Sequence, residues 1–186
     1  MTELVIADTA QRRDLVLFSD RLARLDPSAV VRLRVRADGM VDAWARTPFE
    51  VLACRVVRAD LSPPDVTCSA RELSLGEPGP PMDFAWRGAL PPESGFTHVD
   101  DVPAAVLVSL QESQALEVSD GTTTVTVPMR CAQALTALGF LPDPLTPHEM
   151  VRVRATPAWL RVDARFGSVF LRQKFELTID AAAISK

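Results

Sequence analysis

The sequence predicts an α+β fold with antiparallel strand meanders and about three helices, arranged as two similar halves around one core. Apolar residues alternate with arginines over residues 31–36, and the same alternation returns over residues 150–155. Such a period of two is typical of half-buried strands. Asp38-Gly39 and Asp120-Gly121 each follow an alternating run, as tight antiparallel hairpins require.

The first portion, residues 1–60, is predicted to be a helix followed by a meander. Apolar residues spaced by three and four indicate a helix from Asp8 to Leu25, with Asp8 or Thr9 as its cap, and Asp26-Pro27 ends it. Residues 31–36, 40–46 and 49–57 are then predicted as strands. For residues 49–57, periodicity alone leaves a short buried helix open.

The middle portion, residues 61–103, contains eight of the fifteen prolines and should hold only short regular elements. It also contains large apolar side chains that a plain linker would lack, at Phe84, Trp86, Leu90 and Phe96. We therefore expect an ordered, extended segment that crosses the surface of the core.

The last portion, residues 104–175, is predicted to contain a helix, a hairpin, a second helix and a second meander. Asp100 or Asp101 before Val102-Pro103 is typical of a helix start, and Pro128 opens another helix that Gly139 ends. Residues 1–186 are thus interpreted as a single compact domain. The two meanders share a pattern of valine, arginine and aspartate that indicates related halves, although chance similarity explains it equally well.

Composition narrows the functional class. The formal charge of −4 gives no overall attraction to phosphate backbones. No run of about 20 apolar residues exists for a membrane span, and no export signal is visible at the amino terminus. Three cysteines, an odd number, argue against a disulfide scaffold and favour a cytoplasmic protein. Eighteen arginines against two lysines, with no tyrosine or asparagine, fit a GC-rich genome.

Catalytic and metal motifs are absent from the sequence. His98 and His148 are the only histidines, and both are expected in solvated loops. Cys68 or Ser94 with His98 could form a nucleophile pair, but nothing selects one. The cysteines, Cys54, Cys68 and Cys131, are expected to be buried thiols, and Asp100 or Asp101 a helix cap. We therefore predict no catalytic residue, no metal site and no cofactor.

Arginine on strands is the strongest candidate for a binding site. If the two meanders lie in one sheet, five guanidinium groups could share a face and bind an anion or an acidic partner. The alternative is that they are solvated and balanced by Asp38, Asp42 and Asp163. The five candidates are Arg32, Arg34, Arg36, Arg152 and Arg154.

Three segments spread along the chain resemble an uncharacterised family from GC-rich Gram-positive bacteria. They are Arg24-Leu25-Asp26-Pro27, Trp44-Ala45-Arg46-Thr47-Pro48-Phe49, and Val127-Pro128 through Gly139-Phe140-Leu141. The resemblance implies a cytoplasmic bacterial protein and no catalytic residue, since no activity is assigned to the family.

The function expected from these observations is a non-enzymatic interaction or regulatory module that binds a protein partner or associates with itself, for instance as a homodimer. The alternative is a protein or enzyme that binds a small anionic molecule or phosphate ester on the arginine face. A nucleic-acid binder is the third reading and rests on the same arginines.

Overall fold

An eight-stranded antiparallel sheet organises the chain in a computed structural model that describes residues 2–111 and 114–173. In chain order the strands are β1 (Glu3–Val5), β2 (Val30–Val35), β3 (Val41–Arg46), β4 (Leu52–Val57), β5 (Asp60–Ser62), β6 (Asp65–Ser69), β7 (Thr97–Pro103), β8 (Ala115–Ser119), β9 (Thr124–Pro128), β10 (Met150–Ala155), β11 (Trp159–Ala164) and β12 (Gly167–Arg172). The strand order in the sheet is β6-β2-β3-β4-β12-β11-β10-β7, and two further strand pairs, β1-β5 and β8-β9, flank it. The helices are α1 (Thr9–Leu25), α2 (Ala70–Ser74), α3 (Ala104–Val108) and α4 (Met129–Ala137), with a short 3₁₀ turn at Asp83–Ala85. The predicted α+β class is confirmed.

The sheet divides into two similar halves that meet between β4 and β12. In one half α1 leads into the meander β2-β3-β4, and in the other α4 leads into β10-β11-β12. Outside each meander lies one further strand, β6 beside β2 and β7 beside β10, and each of these strands runs directly into a short helix. The expected duplication is therefore present in the topology.

Local sequence explains the elements that were predicted. The Asp8 carboxylate caps α1 by accepting hydrogen bonds from the amides of Ala10 and Gln11. Gly139 has a φ of +67°, the left-handed conformation expected where α4 ends. Asp38-Gly39 and Asp120-Gly121 lie in the turns of the β2-β3 and β8-β9 hairpins.

Several sequence expectations are corrected. Residues 97–103 form strand β7 and not the start of a helix, so neither Asp100 nor Asp101 is a helix cap; the helix begins only at Ala104. His98 consequently lies on a strand and not in a loop. Strand β12 was missed as a separate element, and so were β1, β5, β6 and α2. The C-terminal tail, Thr178 to Lys186, lies outside the described residues.

The two faces of the sheet have different partners. All four helices pack on the first face, where one large cluster includes Leu15, Phe18, Leu33, Leu135 and Val162, each 1% exposed or less. The second face carries a smaller buried cluster, which we name the aromatic cluster and which consists of Trp44, Cys54, Trp159 and Phe170. This second face is where the candidate site lies.

Residues 75–96, which we name the crossing segment, pass over the second face. They connect α2, which follows β6, to β7, and these two strands are the opposite edges of the sheet. The Met82 amide donates to the Thr67 carbonyl oxygen (2.7 Å), which covers the β6 edge. Farther along, the half-buried side chains of Trp86, Leu90 and Phe96 pack on the aromatic cluster.

Candidate binding site on the second face of the sheet

The five arginines selected from the sequence lie on the second face but do not form one group. Strands β2 and β10 are five positions apart in the sheet, which at the usual strand spacing is about 24 Å. The aromatic cluster and the crossing segment lie between them. The arginines therefore form one group along β2 and the turn after it, and a second group on β10.

Each arginine of the β2 group contacts a carboxylate. Arg32 makes a bidentate pair with Asp65, with both N–O distances 2.7 Å. The remaining pairs are Arg34 with Glu93 (3.7 Å) and Arg36 with Asp38 (3.1 Å). These partners compete with any external anion for the same guanidinium groups.

The β10 group is neutralised in the same way. Arg152 donates two hydrogen bonds to Asp101 (2.9 and 3.2 Å), and His98 Nε2 lies 3.1 Å from the same carboxylate. The bonds from Arg152 and then His98 lower the pKa of Asp101 to about 2. Arg154 lies 3.5 Å from Asp163.

A charged pair lies against the aromatic cluster. Asp42 is 6% exposed, and its Oδ1 lies 3.6 Å from Arg36 without a hydrogen bond. Loss of hydration raises the pKa of Asp42 above its ordinary value, although Arg36 acts in the opposite direction. The ionised form of Asp42 is therefore held at some energetic cost.

The aromatic side chains join the two halves and the crossing segment. The rings of Trp44 on β3 and Phe170 on β12 lie 4.9 Å apart, and Phe96 meets Phe170 edge-on at 5.9 Å. The Arg32 guanidinium lies 5.7 Å from the ring of Trp86. The crossing segment is thus held by aromatic contacts as well as by main-chain hydrogen bonds.

A pocket of about 230 Å³, which we name the central pocket, opens beside this cluster. Strands β4 and β12 are paired only at Leu52–Cys54, and the chain before Leu52 turns away through the 47–51 turn. Strand β12 continues to Arg172 alongside β11 alone. The pocket occupies the wedge that this divergence leaves.

The walls of the central pocket combine apolar and cationic groups. Trp159 and Phe170, 9% and 4% exposed, together with the half-buried Leu52, provide the apolar lining. Arg46 from β3, Arg87 from the crossing segment and Arg172 from β12 also line the pocket, and Arg87 Nη1 donates to the carbonyl oxygens of Phe84 and Trp86. Arg46 Nη1 donates to the Arg87 carbonyl oxygen at 3.1 Å, which ties the crossing segment to the sheet.

These three arginines differ from the five chosen from the sequence. Within residues 2–111 and 114–173, none of the three has a carboxylate within 4 Å. Glu50 also lines the pocket, but its carboxylate pairs with Arg130 at 2.7 Å. Sequence reasoning missed this site because its arginines come from three distant segments; the Trp44–Phe49 motif, which contains Arg46, was the one available signal.

The remaining candidates are accounted for by their surroundings. The three cysteines are free and buried, as predicted, and burial raises the pKa of Cys68 and of Cys131 to about 12. Among the residues that the structure describes, no three histidine, cysteine or carboxylate side chains are grouped to hold a metal.

No helix in the described ranges has the length and hydropathy needed to cross a bilayer.

Comparison with known proteins shows two domains of unknown function. Residues 1–88 match the domain of unknown function DUF8010, and residues 109–176 match the domain of unknown function DUF8185. No curated protein matches the chain. The expected resemblance to an uncharacterised family is confirmed to this extent, while its bacterial origin stays a prediction.

Solved structures show what the fold is similar to. The chain matches the DNA polymerase sliding clamp of Caulobacter crescentus with a TM-score of 0.54 and 11% identity, over 100% of this chain and 69% of the clamp. The sliding clamp of Pseudomonas aeruginosa gives a TM-score of 0.53 and 13% identity, over 94% of this chain and 66% of the clamp. The DNA polymerase III beta chain of Streptococcus pneumoniae gives a TM-score of 0.56 and 10% identity, over 94% of this chain and 66% of that chain. The chain therefore shares the sliding-clamp fold and spans about two thirds of a clamp's length.

Proposed function

We propose that the protein is a non-catalytic interaction module that binds a protein partner and associates with itself as a homodimer. The observation that carries this proposal is the match of nearly the whole chain to sliding clamps, which are beta chains of DNA polymerase III. A fold alone does not assign a function, so the proposal is supported separately by the surface. That surface offers a recessed site with cationic and apolar walls at the junction of the two halves.

The buried thiols support a place in the cytoplasm. All three cysteines are unpaired, and none is exposed to form an intermolecular disulfide. Chains that mature in oxidising compartments commonly use their cysteines in disulfides. We therefore place the module in the reducing interior of a bacterial cell.

The alternative of a small-molecule or phosphate-ester enzyme has less support from the structure. That alternative requires the five arginines of the β2 and β10 groups to bind the ligand. Each of them already has a carboxylate within 4 Å. A phosphate ester would have to displace those carboxylates in two places that lie about 24 Å apart.

Nucleic-acid binding is the second candidate, favoured by the similarity of the fold to DNA polymerase sliding clamps. The net charge of −4 provides no general attraction to phosphates, so binding would depend on local patches and on low salt. A labelled duplex titrated at low and at physiological salt tests it. Saturable binding that weakens steeply with salt would favour this candidate over a protein partner.

The experiment for the interaction module is chemical crosslinking in cells, followed by purification and reconstitution. We expect a protein that is crosslinked to the tagged chain to rebind the purified chain as a defined complex, and sedimentation to show a reversible dimer. Recovery of no protein that rebinds, together with a monomer at all concentrations, would contradict the proposal.

A further inference from the structure

Three arginines at the central pocket, Arg46, Arg87 and Arg172, have no carboxylate within 4 Å among the described residues. Glu50 also lines the pocket, and its carboxylate is paired with Arg130. By contrast, Arg32 and Arg152 on the same face make bidentate pairs with Asp65 and Asp101. Arg46 Nη1 donates to the Arg87 carbonyl oxygen, and Arg87 Nη1 donates to the carbonyl oxygens of Phe84 and Trp86. A ligand at the central pocket would therefore meet guanidinium groups from which no carboxylate has to be displaced.

The residues that line the pocket indicate which chemical groups a ligand must carry. Guanidinium groups recognise carboxylates through paired hydrogen bonds, and three of them from separate segments would accommodate more than one carboxylate. The lining also includes the apolar side chains of Trp159, Phe170 and Leu52. An inorganic anion would leave that apolar surface wet, whereas a peptide could place an apolar side chain there and its carboxylates on the rim.

Nucleic acid fits this site less well. Its phosphates would also approach the rest of the second face, where the arginines are already paired with Asp38, Asp65, Glu93 and Asp101. Arginines held in such pairs offer little attraction to a phosphate backbone. A short acidic peptide that enters the recess needs only the arginines of the central pocket.

We propose that the central pocket binds an acidic peptide segment of a protein partner, with one large apolar side chain on Trp159 and Phe170 and flanking carboxylates on Arg46, Arg87 and Arg172. This inference rests on the proposed interaction function and names the site and the chemistry of the partner. It requires no change in the main chain, because the wedge between β4 and β12 is already open.

The test uses a fluorescein-labelled peptide in which one leucine is flanked by two glutamates on each side, with glutamines replacing the glutamates in a control peptide. The intact chain is compared with an Arg46→Gln, Arg172→Gln double variant and with a matched Arg32→Gln, Arg152→Gln double variant. Both remove two positive charges from the same face, so a general electrostatic effect would act on both equally. Circular dichroism and thermal melting establish that each variant is folded.

We expect saturable binding of the glutamate peptide that weakens at least ~10-fold in the Arg46→Gln, Arg172→Gln variant and changes less than ~2-fold in the matched variant. No saturable binding of the glutamate peptide, equal binding of the glutamine peptide, or equal loss in both variants would each overturn the proposal. Displacement of the peptide by a short DNA duplex at lower concentration than by unlabelled peptide would also overturn it, in favour of nucleic acid.

Failure of this inference is distinguishable from failure of the proposed function. A protein recovered by crosslinking is tested against the same two double variants. If it binds both variants as it binds the intact chain, the interaction function stands and the central pocket is not its site. If its binding is lost only in the Arg46→Gln, Arg172→Gln variant, the pocket is the site.

Discussion

Arg21 Nη1 donates a hydrogen bond to the main-chain carbonyl oxygen of Leu138 at 2.9 Å, across 117 residues of sequence. Arg21 lies on α1 in the first half, and Leu138 is the residue at which α4 of the second half ends. The end of a helix leaves carbonyl oxygens without partners, and a guanidinium group satisfies one of them while also opposing the helix dipole. Beside this bond the rings of Phe18 and Phe140 stack at 5.6 Å. The two halves are thus joined on the helix side as well as between β4 and β12.

Gly139→Ala tests this junction. A Cβ at Gly139 would lie 1.3 Å from Arg21 Nη1, so the flexible end of the Arg21 side chain would have to move away from the Leu138 carbonyl oxygen. The φ of +67° is itself unfavourable for alanine. We expect the free energy of unfolding to fall by about 2 to 3 kcal/mol in chemical denaturation, because the lost hydrogen bond adds to the backbone effect.

Gly121→Ala is the matched control, because Gly121 has a φ of +90° but nothing within 4 Å of its Cβ position. It should cost only about 1 kcal/mol, the backbone effect alone. Equal losses in the two variants would show that the approach of Arg21 to Gly139 does not matter.

Trp86→Ala tests how the crossing segment is held. Trp86 packs on the aromatic cluster and beside Arg32, so its removal should release the segment and expose the bond after Arg87 to trypsin. Phe84→Ala is the control, because Phe84 is 74% exposed. Limited proteolysis followed by mass spectrometry should show faster cleavage after Arg87 only in the Trp86 variant; an unchanged rate would contradict the proposed anchor.

Arg152→Gln tests the origin of the low pKa of Asp101. The Arg152 hydrogen bonds are the largest cause of the shift to about 2, so the variant should move the pKa upward toward the ordinary value of about 3.9. Because the folded-state pKa is depressed, the pair stabilises above pH ~4 and this stabilisation is lost as pH falls toward 2. Carboxyl NMR titration measures the shift. Arg154→Gln, which removes a neighbouring charge, should change the pKa much less.

Asp42→Asn tests the cost of the charge against the aromatic cluster. Burial raises the pKa of Asp42, so the ionised form is disfavoured in the folded state at neutral pH. The free energy of unfolding should rise at pH 7, on the order of 1 kcal/mol, and the gain should shrink as pH falls through the raised pKa. Asp65→Asn, which breaks the exposed pair with Arg32, should lower stability by less than about 1 kcal/mol. A loss of stability in Asp42→Asn would contradict this account.

The single compact domain proposed for residues 1–186 predicts one unfolding transition. Trp44, Trp86 and Trp159 all belong to or pack on the aromatic cluster, so tryptophan fluorescence reports the second face. Far-ultraviolet circular dichroism reports the helices on the first face. The two transitions should coincide in urea, and separate midpoints would show that the faces unfold independently.

Sequence patterns predicted the elements whose signals are local. Asp8 caps α1, Gly139 ends α4, and the two Asp-Gly turns form hairpins because each depends on a few adjacent residues. Strand β7 was missed because Val102-Pro103 has the composition of a first helical turn, while its pairing with β10 is a distant contact. Local propensity does not report such pairing.

For the binding site too, the sequence predicts the features that depend on adjacent residues and misses those that depend on distant contacts. Alternation correctly placed Arg32, Arg34 and Arg152 on strands, but the sheet order that separates the two groups depends on β4 pairing with β12. Likewise, the ion pair between Arg152 and Asp101 and the convergence of Arg46 with Arg172 join residues far apart in the chain. Neither leaves a periodic pattern, so only the folded chain reveals them.

Native mass spectrometry of the purified protein tests the central claim most directly, because one spectrum reports both subunit count and bound small molecules. An interaction module that associates with itself should give a dimer of the 20.3 kDa chain without a small-molecule adduct. A monomer that carries one small anionic molecule per chain would contradict the account and favour the small-molecule alternative.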